Sequence, residues 1–539
     1  MPKNNVLKKS PALPPKLSFP LILILLLGAG LRLTLLGKYD LWYDEAYSLH
    51  FPLSIIQNAP LYYMFFHFWT QPLLFLQVTS RWLEFFCRLP SALFSFSCLP
   101  VLYMIARRTC DRNSALYATL LLALSPLQLW YAQEARPYAL TTLLALLSIL
   151  FFTDYLQKNE DLSYNKHTVL YVLFATLGLY THYLFAFLPL LCLAYALYLK
   201  KPAHQLIQLF LPFLFWLPWF PLISQQLSVV AKGFWPSHPT FESLRITFEN
   251  CLLGYNGTSI LYKIADFLLI LLGILFFYNM LQKKEKKYIL VFYALLFIFP
   301  VFCTFLLSKF SVSVYIDRNF SIFIPFFFLL ITNAICALNK KILRFSFLSI
   351  LIILLAFSDV RYFLGEMYEP QDMRHHIGVH PKKPMRPIVE YFVRNFNKYP
   401  KNTLIITHPA VIFPMHAYYF LLNKTGSSKI YFDLSRYSSF VYFAFDPKFN
   451  DTIYQRPYTE IYLNNGKPSW FTDYFISKER IYEDIIKTTP GKIFLVGCDW
   501  ARSSRLDENS QSIKDFLDSR LKLSEKLDFD GIILSVYKT

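Results

Sequence analysis

Long apolar runs separated by short clusters of lysine and arginine limit this chain's fold more than any single motif does. The runs fall at 19–36, 89–106, 114–130, 139–156, 168–182, 184–199, 206–223, 260–281, 288–307, 320–338 and 342–364. That is about eleven, each close to the ~20 residues a helix needs to cross a bilayer, with 168–182 the short one. The chain has 539 residues, of which 55% are hydrophobic and 16% charged. A globular protein of this length carries far more charge, so the expected fold is a polytopic α-helical membrane protein with membrane lipid around it. The net charge of +18 does not point to nucleic acid, because the basic residues sit between the runs rather than on one face.

The same clusters set an orientation. With the basic tail 1–17 on the cytoplasmic side, one span places Asp44 outside. The segment Leu53–Leu83 decides the parity of everything after it. Treated as interfacial helices within a first outer loop 38–88, it leaves Arg107, Arg108, Arg112, Lys200, Lys201, the Lys283–Lys287 cluster, Lys340, Lys341 and Arg344 inside. Counting Leu61–Thr79 as a span would send all of them outside. Gly28-Ala29-Gly30 would suit a signal-peptide cleavage site, but the apolar run continues past it, which favours an uncleaved first span. Arg32, near the far end of that span, either snorkels to the interface, the expected arrangement, or faces a carboxylate.

Composition changes at residue 365. The transmembrane part thus covers 18–364, and 365–539 forms a soluble α/β domain on the outer side. Strand-length apolar runs there are Thr403–Thr407, Lys429–Leu434, Phe440–Phe445, Lys492–Val496 and Gly531–Val536, with helical patterns at Pro387–Phe396 and Ser512–Leu523. No glycine-rich phosphate loop, nucleophile elbow or internal repeat occurs. Eight cysteines are scattered without a Cys-x-x-Cys pair, and Cys498 alone lies in the C-terminal part, so no disulfide framework is expected. His375, His376 and His380 resemble a metal cluster, but Gly378 and Pro381 break helical presentation, and a flexible juxtamembrane loop fits better. No cofactor is assigned, and no ligand set supports a divalent metal.

Behind the first run stands Asp40-Leu41-Trp42-Tyr43-Asp44-Glu45-Ala46-Tyr47-Ser48-Leu49-His50. Carboxylates at a membrane edge are costly to desolvate and mark a task more often than not. Asp44 and Glu45 are adjacent, so one at most points into a given cavity. The plain alternative is a polar loop anchored at the headgroups by Trp42 and Tyr43. Three further polar turns share that depth: Tyr131–Tyr138 with Glu134 and Arg136, Tyr180–Tyr183 with His182, and Tyr315–Asn319 with Asp317 and Arg318. Each could be idle, with Glu134 and Arg136 pairing together and Asp317-Arg318 an ordinary loop. Together they suit transfer from a lipid phosphate. Guanidinium groups hold the phosphate as it leaves, and a carboxylate accepts the proton of an attacking hydroxyl.

Four stretches carry a family resemblance. They are Trp42-Tyr43-Asp44-Glu45-Ala46-Tyr47-Ser48, Ala59-Pro60-Leu61-Tyr62-Tyr63, Arg88-Leu89-Pro90-Ser91-Ala92-Leu93 and Gln133-Glu134-Ala135-Arg136-Pro137-Tyr138-Ala139-Leu140. In order and spacing they resemble the bacterial membrane glycosyltransferases of the GT-C class, related to protein O-mannosyltransferases and the lipid A aminoarabinose transferase. The resemblance covers roughly residues 19–200. It implies an enzyme of the bacterial inner membrane, with an external, periplasmic C-terminal domain. That enzyme moves a sugar from a polyprenyl-phosphate carrier to a glycan, lipid or protein acceptor on the non-cytoplasmic face, with inversion. The family's essential acidic residue of the first outer loop falls on Asp44, with Glu45 beside it, and its second polar turn on Glu134 and Arg136. Many relatives have His-Pro-Pro-Leu-Tyr where this chain has Asn58-Ala59-Pro60-Leu61-Tyr62, which leaves His50 or His67 to substitute, or a different substrate.

The expected site is therefore Asp44 as base with Glu45 in the catalytic pair, Arg136 and Arg318 as phosphate ligands, and Glu134, Tyr62, Tyr63 and His182 lining the cavity. A transporter or flippase for a lipid-linked sugar is the alternative. It would call for charges deep within spans and paired, interrupted segments in two halves; the runs hold few such charges and show no similarity between halves.

Overall fold

Eighteen helices and six strands organise the residues described by the computed structural model, which are 18–49, 55, 58–76, 78, 82–157, 166–231, 236, 238–282, 287–366, 382, 384–395, 403–406, 440–445, 475–477, 492–498, 508–529 and 532–538. The tail 1–17, His50, most of the Lys283–Lys287 cluster, the three histidines at 375–380 and the expected strand Lys429–Leu434 lie outside the described residues.

In chain order the helices before residue 365 are α1 (Phe19–Leu33), α2 (Tyr43–Ser48), α3 (Pro60–Phe75), α4 (Trp82–Thr109), α5 (Arg112–Ala123), α6 (Pro126–Ala132), α7 (Tyr138–Gln157), α8 (Lys166–Leu179), α9 (Phe187–Tyr198), α10 (Ala203–Trp216), α11 (Phe220–Ala231), α12 (Phe241–Leu253), α13 (Ser259–Gln282), α14 (Lys287–Phe310), α15 (Ile324–Cys336) and α16 (Lys341–Leu364). Among the described residues seven helical segments are long and apolar enough to cross a membrane, or eight if the bent pair α5–α6 counts as one. This is a multi-pass membrane protein. The eight coincide with eight of the expected runs. The other three runs form shorter apolar helices, Phe19–Leu33, Lys166–Leu179 and Tyr183–Tyr198.

Helix α3 stays at 16 residues and is not of spanning length. Tyr62, Tyr63, Phe66 and Thr70 recur at helical spacing and are buried, while Met64, Phe68 and Phe75 on the other side are exposed. An apolar face left open on a short helix is the pattern of an interfacial element.

The core of the bundle is formed by α4, α5, α7, α8 and α15, with α1 packed against α4 and α5. Between α5 and α6 the axis bends by 56°. Ser125 caps α6, its hydroxyl accepting from the Gln128 backbone N–H, and Pro126 starts it without needing a donor. A bend leaves carbonyls unmet inside an apolar medium, where each costs several kcal/mol or so. Arg32 meets them. Its guanidinium donates to the carbonyls of Leu122, Ala123 and Gly28 and to the Ser95 hydroxyl, and its side chain is fully buried. Snorkelling is thus incorrect for Arg32, because backbone carbonyls at the α5 break offer it nearer partners than the interface does.

Beyond residue 365, α17 (Arg386–Asn395) and α18 (Glu508–Asp518) accompany strands β1 (Thr403–Ile406), β2 (Phe440–Phe445), β3 (Phe475–Ser477), β4 (Lys492–Cys498), β5 (Lys522–Asp528) and β6 (Ile532–Lys538). The sheet order is β3-β2-β1-β4-β6-β5, with β1 parallel to β2 and β4, β3 parallel to β2, and β6 antiparallel to both neighbours. The helix expected at Ser512–Leu523 ends at Asp518. Leu523 belongs instead to β5, an exposed edge strand whose lysines, serine and acids hide it from a hydrophobic pattern.

Alternation along the strands gives the sheet two apolar faces. Ile493, Leu495 and Tyr537 pack on Ile513 and Leu517 of α18. Phe494, Val496, Leu534 and Val536 point the other way. They share one buried cluster with Met385, Ile388 and Val389 and with Leu41, Ala46, Tyr47, Tyr62, Tyr63 and Ala135 of the membrane part. The C-terminal sheet and the first loop therefore have a common core.

Candidate active site

The chain leaves α1 through Leu36–Asp40 and enters α2 at Trp42. Asp44 and Glu45 stand in the first turn of α2, where the free backbone N–H groups favour negative charge. Neighbouring positions on a helix point about 100° apart, and the two carboxylates part company accordingly.

Glu45 turns inward and is fully buried. Its Oε1 accepts from Arg88 Nε at 2.7 Å and from the Ala135 N–H at 2.9 Å, and its Oε2 accepts from Arg88 Nη2 at 2.6 Å. Arg88 also donates to the carbonyls of Leu36, Tyr39 and Asp40. One guanidinium thus gathers the loop and clasps α2 to α4. Burial opposes the charge, yet Arg88 and then Lys382 hold the Glu45 carboxyl down at about 2. A carboxylate so fully engaged is a strut, and the geometry separates it from Asp44 in role.

Asp44 turns the other way, toward two arginines. Its Oδ2 lies 3.0 Å from Arg318 Nη1 and 3.6 Å from Arg136 Nη2, with 15% of the side chain exposed. Arg136 Nη1 reaches the Asp44 carbonyl at 3.4 Å and the Ser48 hydroxyl at 3.3 Å, and its guanidinium stands 5.8 Å from the centre of the Tyr63 ring. Arg136 Nε and the Tyr63 hydroxyl are buried with no hydrogen-bond partner among the described residues. Such groups normally find one, so polar atoms around Asp44 stand ready for a ligand. Burial pushes the Tyr63 phenol above its ordinary value, so it is a donor at neutral pH. Tyr62 is also fully buried, stacked on Phe66.

Glu134 and Arg136 do not pair with each other. Trp130 Nε1 donates to Glu134 Oε2 at 2.9 Å, within the same turn of chain, and Glu134 Oε1 has no hydrogen-bond partner among the described residues. Burial raises the Glu134 carboxyl to about 7, against the pull of Lys382 and with Glu45 and Asp44 adding to the rise. Asp317 turns away from Asp44. It accepts from Asn250 Nδ2 of α12 at 2.6 Å and from Tyr255, whose hydroxyl meets that of Tyr131. This anchor on α12 fixes the start of the turn from which Arg318 projects.

His182 caps a short 3-10 turn, its Nδ1 accepting the Leu184 N–H at 3.2 Å, and it bonds Asn319, the residue after Arg318. Because Nδ1 accepts, a neutral ring carries its proton on Nε2. It supports the Arg318 turn. His67 instead meets Gln71 on the exposed side of α3.

The structure thus brings Asp44, Arg136, Arg318, Tyr63 and His182 into one neighbourhood. Residues not singled out in the sequence also enter it. Ser48 belongs to the same motif as Asp44 and was legible as such. Lys382 comes from a stretch with no pattern to mark it, and its Nζ donates to the Gln133 carbonyl at 2.9 Å.

Three comparisons bear on this arrangement. The family described as dolichyl-phosphate-mannose-protein mannosyltransferase matches residues 64–228, from within α3 into α11. Among solved structures, ArnT from Cupriavidus metallidurans in the apo state matches with a TM-score of 0.58 over 96% of this chain and 97% of that one, at 10% identity. The same protein bound to undecaprenyl phosphate gives 0.57 over the same shares. The chain shares the fold of ArnT. No curated protein matches the chain. The acidic loop lies ahead of the matched family segment, and the ArnT-like architecture extends across both the helical part and the C-terminal sheet.

Proposed function

We propose that the chain is a membrane glycosyltransferase that moves a sugar from a polyprenyl-phosphate carrier to an acceptor hydroxyl on the non-cytoplasmic face, with inversion. The observation that carries this reading is the meeting of Asp44, Arg136 and Arg318 from three remote segments, beside Arg136 Nε and the Tyr63 hydroxyl, which have no hydrogen-bond partner among the described residues. The carrier class is supported by the similar fold of an ArnT solved with undecaprenyl phosphate.

Arg136 and Arg318 offer guanidinium forks for a phosphate oxygen. Phosphate and Asp44 compete for those forks, so arrival of the donor frees the carboxylate. Asp44 then accepts the proton of the acceptor hydroxyl as its oxygen bonds to the anomeric carbon. The bond from that carbon to the phosphate oxygen breaks, and its electron pair leaves with the polyprenyl phosphate, whose charge the two arginines balance. Direct displacement inverts the carbon. Glu45 holds Asp44 in place, while Tyr62, Tyr63, Glu134 and His182 shape the cavity. The expected membrane arrangement has eleven crossings, the N-terminal tail inside and the α/β domain outside.

The test is incubation of purified protein with a panel of polyprenyl-phosphate sugars, following sugar transfer and release of polyprenyl phosphate. Consumption of one donor by the wild type and loss of it in Asp44→Asn is the expected result. A protein that moves labelled donor across vesicles without consuming any of them would be a flippase.

A further inference from the structure

Two cations four residues apart, Lys382 and Arg386, leave the end of the membrane part and take hold of acidic residues of the first loop and its flank. The Arg386 backbone N–H donates to Asp40 Oδ2 at 2.8 Å, and its Nη2 pairs with the buried Glu84 of α4 at 2.6 Å. Lys382 goes deeper. Only 6% of its side chain is exposed, and its Nζ lies 2.9 Å from the Gln133 carbonyl and 4.0 Å from Glu45 Oε1. Burying an ammonium costs several kcal/mol or so unless anions compensate it. Here Glu45 and Glu134 do so, while Arg88 opposes.

Each anion is next to a residue of the proposed chemistry. Glu45 adjoins Asp44, and Glu134 stands two residues before Arg136. The Ala135 N–H between them is itself bound to Glu45. We propose that Lys382 is a positioning residue that joins the entry to the external domain to the catalytic centre, holding α2 and the Gln133–Arg136 turn in register. The proposal rests on the reading of Asp44 as base and Arg136 as phosphate ligand. It gives the C-terminal domain a part in catalysis, because that domain anchors the segment carrying Lys382 through the shared core of Met385, Ile388 and Val389.

The electrostatics agree. Burial, with Arg88 adding to it, lowers Lys382 to about 8 against the pull of Glu45 and Glu134. Burial raises Glu134 to about 7, opposed by Lys382 and Arg318 and reinforced by Glu45 and Asp44. Those groups face Glu134 from α2, the Arg318 turn and the linker, with Trp130 on Oε2 and with Tyr131, Arg136, Tyr138 of α7 and Tyr362 of α16 also within its field. Removing the ammonium lets Glu134 take its proton at higher pH and slackens the turn.

Two readouts on the full chain test this. Amide hydrogen exchange at Ala135 and Arg136 should rise in Lys382→Met and return toward wild type in Lys382→Arg. Unchanged exchange in Lys382→Met overturns the proposal, whatever reaction the protein performs. In turnover, kcat of Lys382→Met should fall roughly 10- to 100-fold, the scale of a displaced catalytic group. The donor KM should change little and the acid limb of the pH profile should move to higher pH. Should Lys382→Met not fold, Lys382→Gln takes its place in both measurements. If Asp44→Asn is inactive while the Lys382 variant keeps wild-type kcat and pH profile, the proposal fails and the reading of the site stands. If Asp44→Asn turns over normally, that reading fails and exchange alone decides the role of Lys382.

Discussion

Asp44 Oδ2 lies 3.0 Å from Nη1 of Arg318, a residue 274 positions further along the chain. The contact joins the first loop to the turn before α15, and with Arg136 it makes a carboxylate flanked by two guanidiniums.

Asp44→Asn keeps the size of the side chain and removes both its basicity and its hold on the arginines. Turnover should fall by roughly 10²–10⁴-fold, the usual weight of a general base. Polyprenyl phosphate alone should bind at least as tightly as to wild type, since its competitor is gone. Calorimetric titration beside a transfer assay measures both, and weaker binding together with normal turnover would reverse the assignment.

Lysine in place of each arginine separates grip from charge balance. Arg136→Lys loses the fork that spans the Asp44 carbonyl, the Ser48 hydroxyl and the carboxylate. It should cut kcat more than donor binding, because the leaving phosphate gains charge only as the bond breaks. Arg318→Lys retains a single contact to Asp44 more easily and should be the milder of the two. Steady-state kinetics with varied donor decides the order.

Glu45→Gln should act on stability before it acts on chemistry. Leaving Arg88 buried without its anion costs about 3–5 kcal/mol by the general experience of broken buried pairs. The folded Glu45 carboxyl is depressed from 4.5 to about 2, so its contribution is complete above 4.5 and is lost as pH falls toward 2. Thermal midpoints of wild type and Glu45→Gln should therefore differ most at neutral pH and converge below 4.5. A constant gap across that range would show that Glu45 is not held ionised by Arg88.

Orientation can be read from two exposed lysines. In a cysteine-free background, an impermeant maleimide added to intact cells should label Lys526→Cys on β5 and spare Lys200→Cys after α9. The reverse pattern would put the acidic loop on the cytoplasmic side.

Hydropathy and basic clusters are local properties, so the apolar helices stand at the expected places along the chain. Asp44 and Arg136 were visible because they sit in recognisable motifs. Their geometry was not. Glu45 reads like a second catalytic acid until Arg88, 43 positions away, is seen on both its oxygens. Arg32 reads as a snorkelling end residue because nothing in its neighbourhood announces a broken helix at Leu124-Ser125. Strand β5 is missed because an edge strand needs no apolar face of its own, and Lys382 because one of two lysines between Pro381 and Pro384 is indistinguishable from any surface loop.

The shared core of the first loop and the C-terminal sheet sets an order of assembly. Leu41, Ala46 and Tyr47 leave the ribosome early, whereas Phe494, Val496, Leu534 and Val536, which complete the same cluster, are made last. At ~5–20 residues per second the interval is on the order of half a minute. Throughout it the loop bearing Asp44 has only part of its packing, so a chain stopped before β4 should leave that loop incompletely covered.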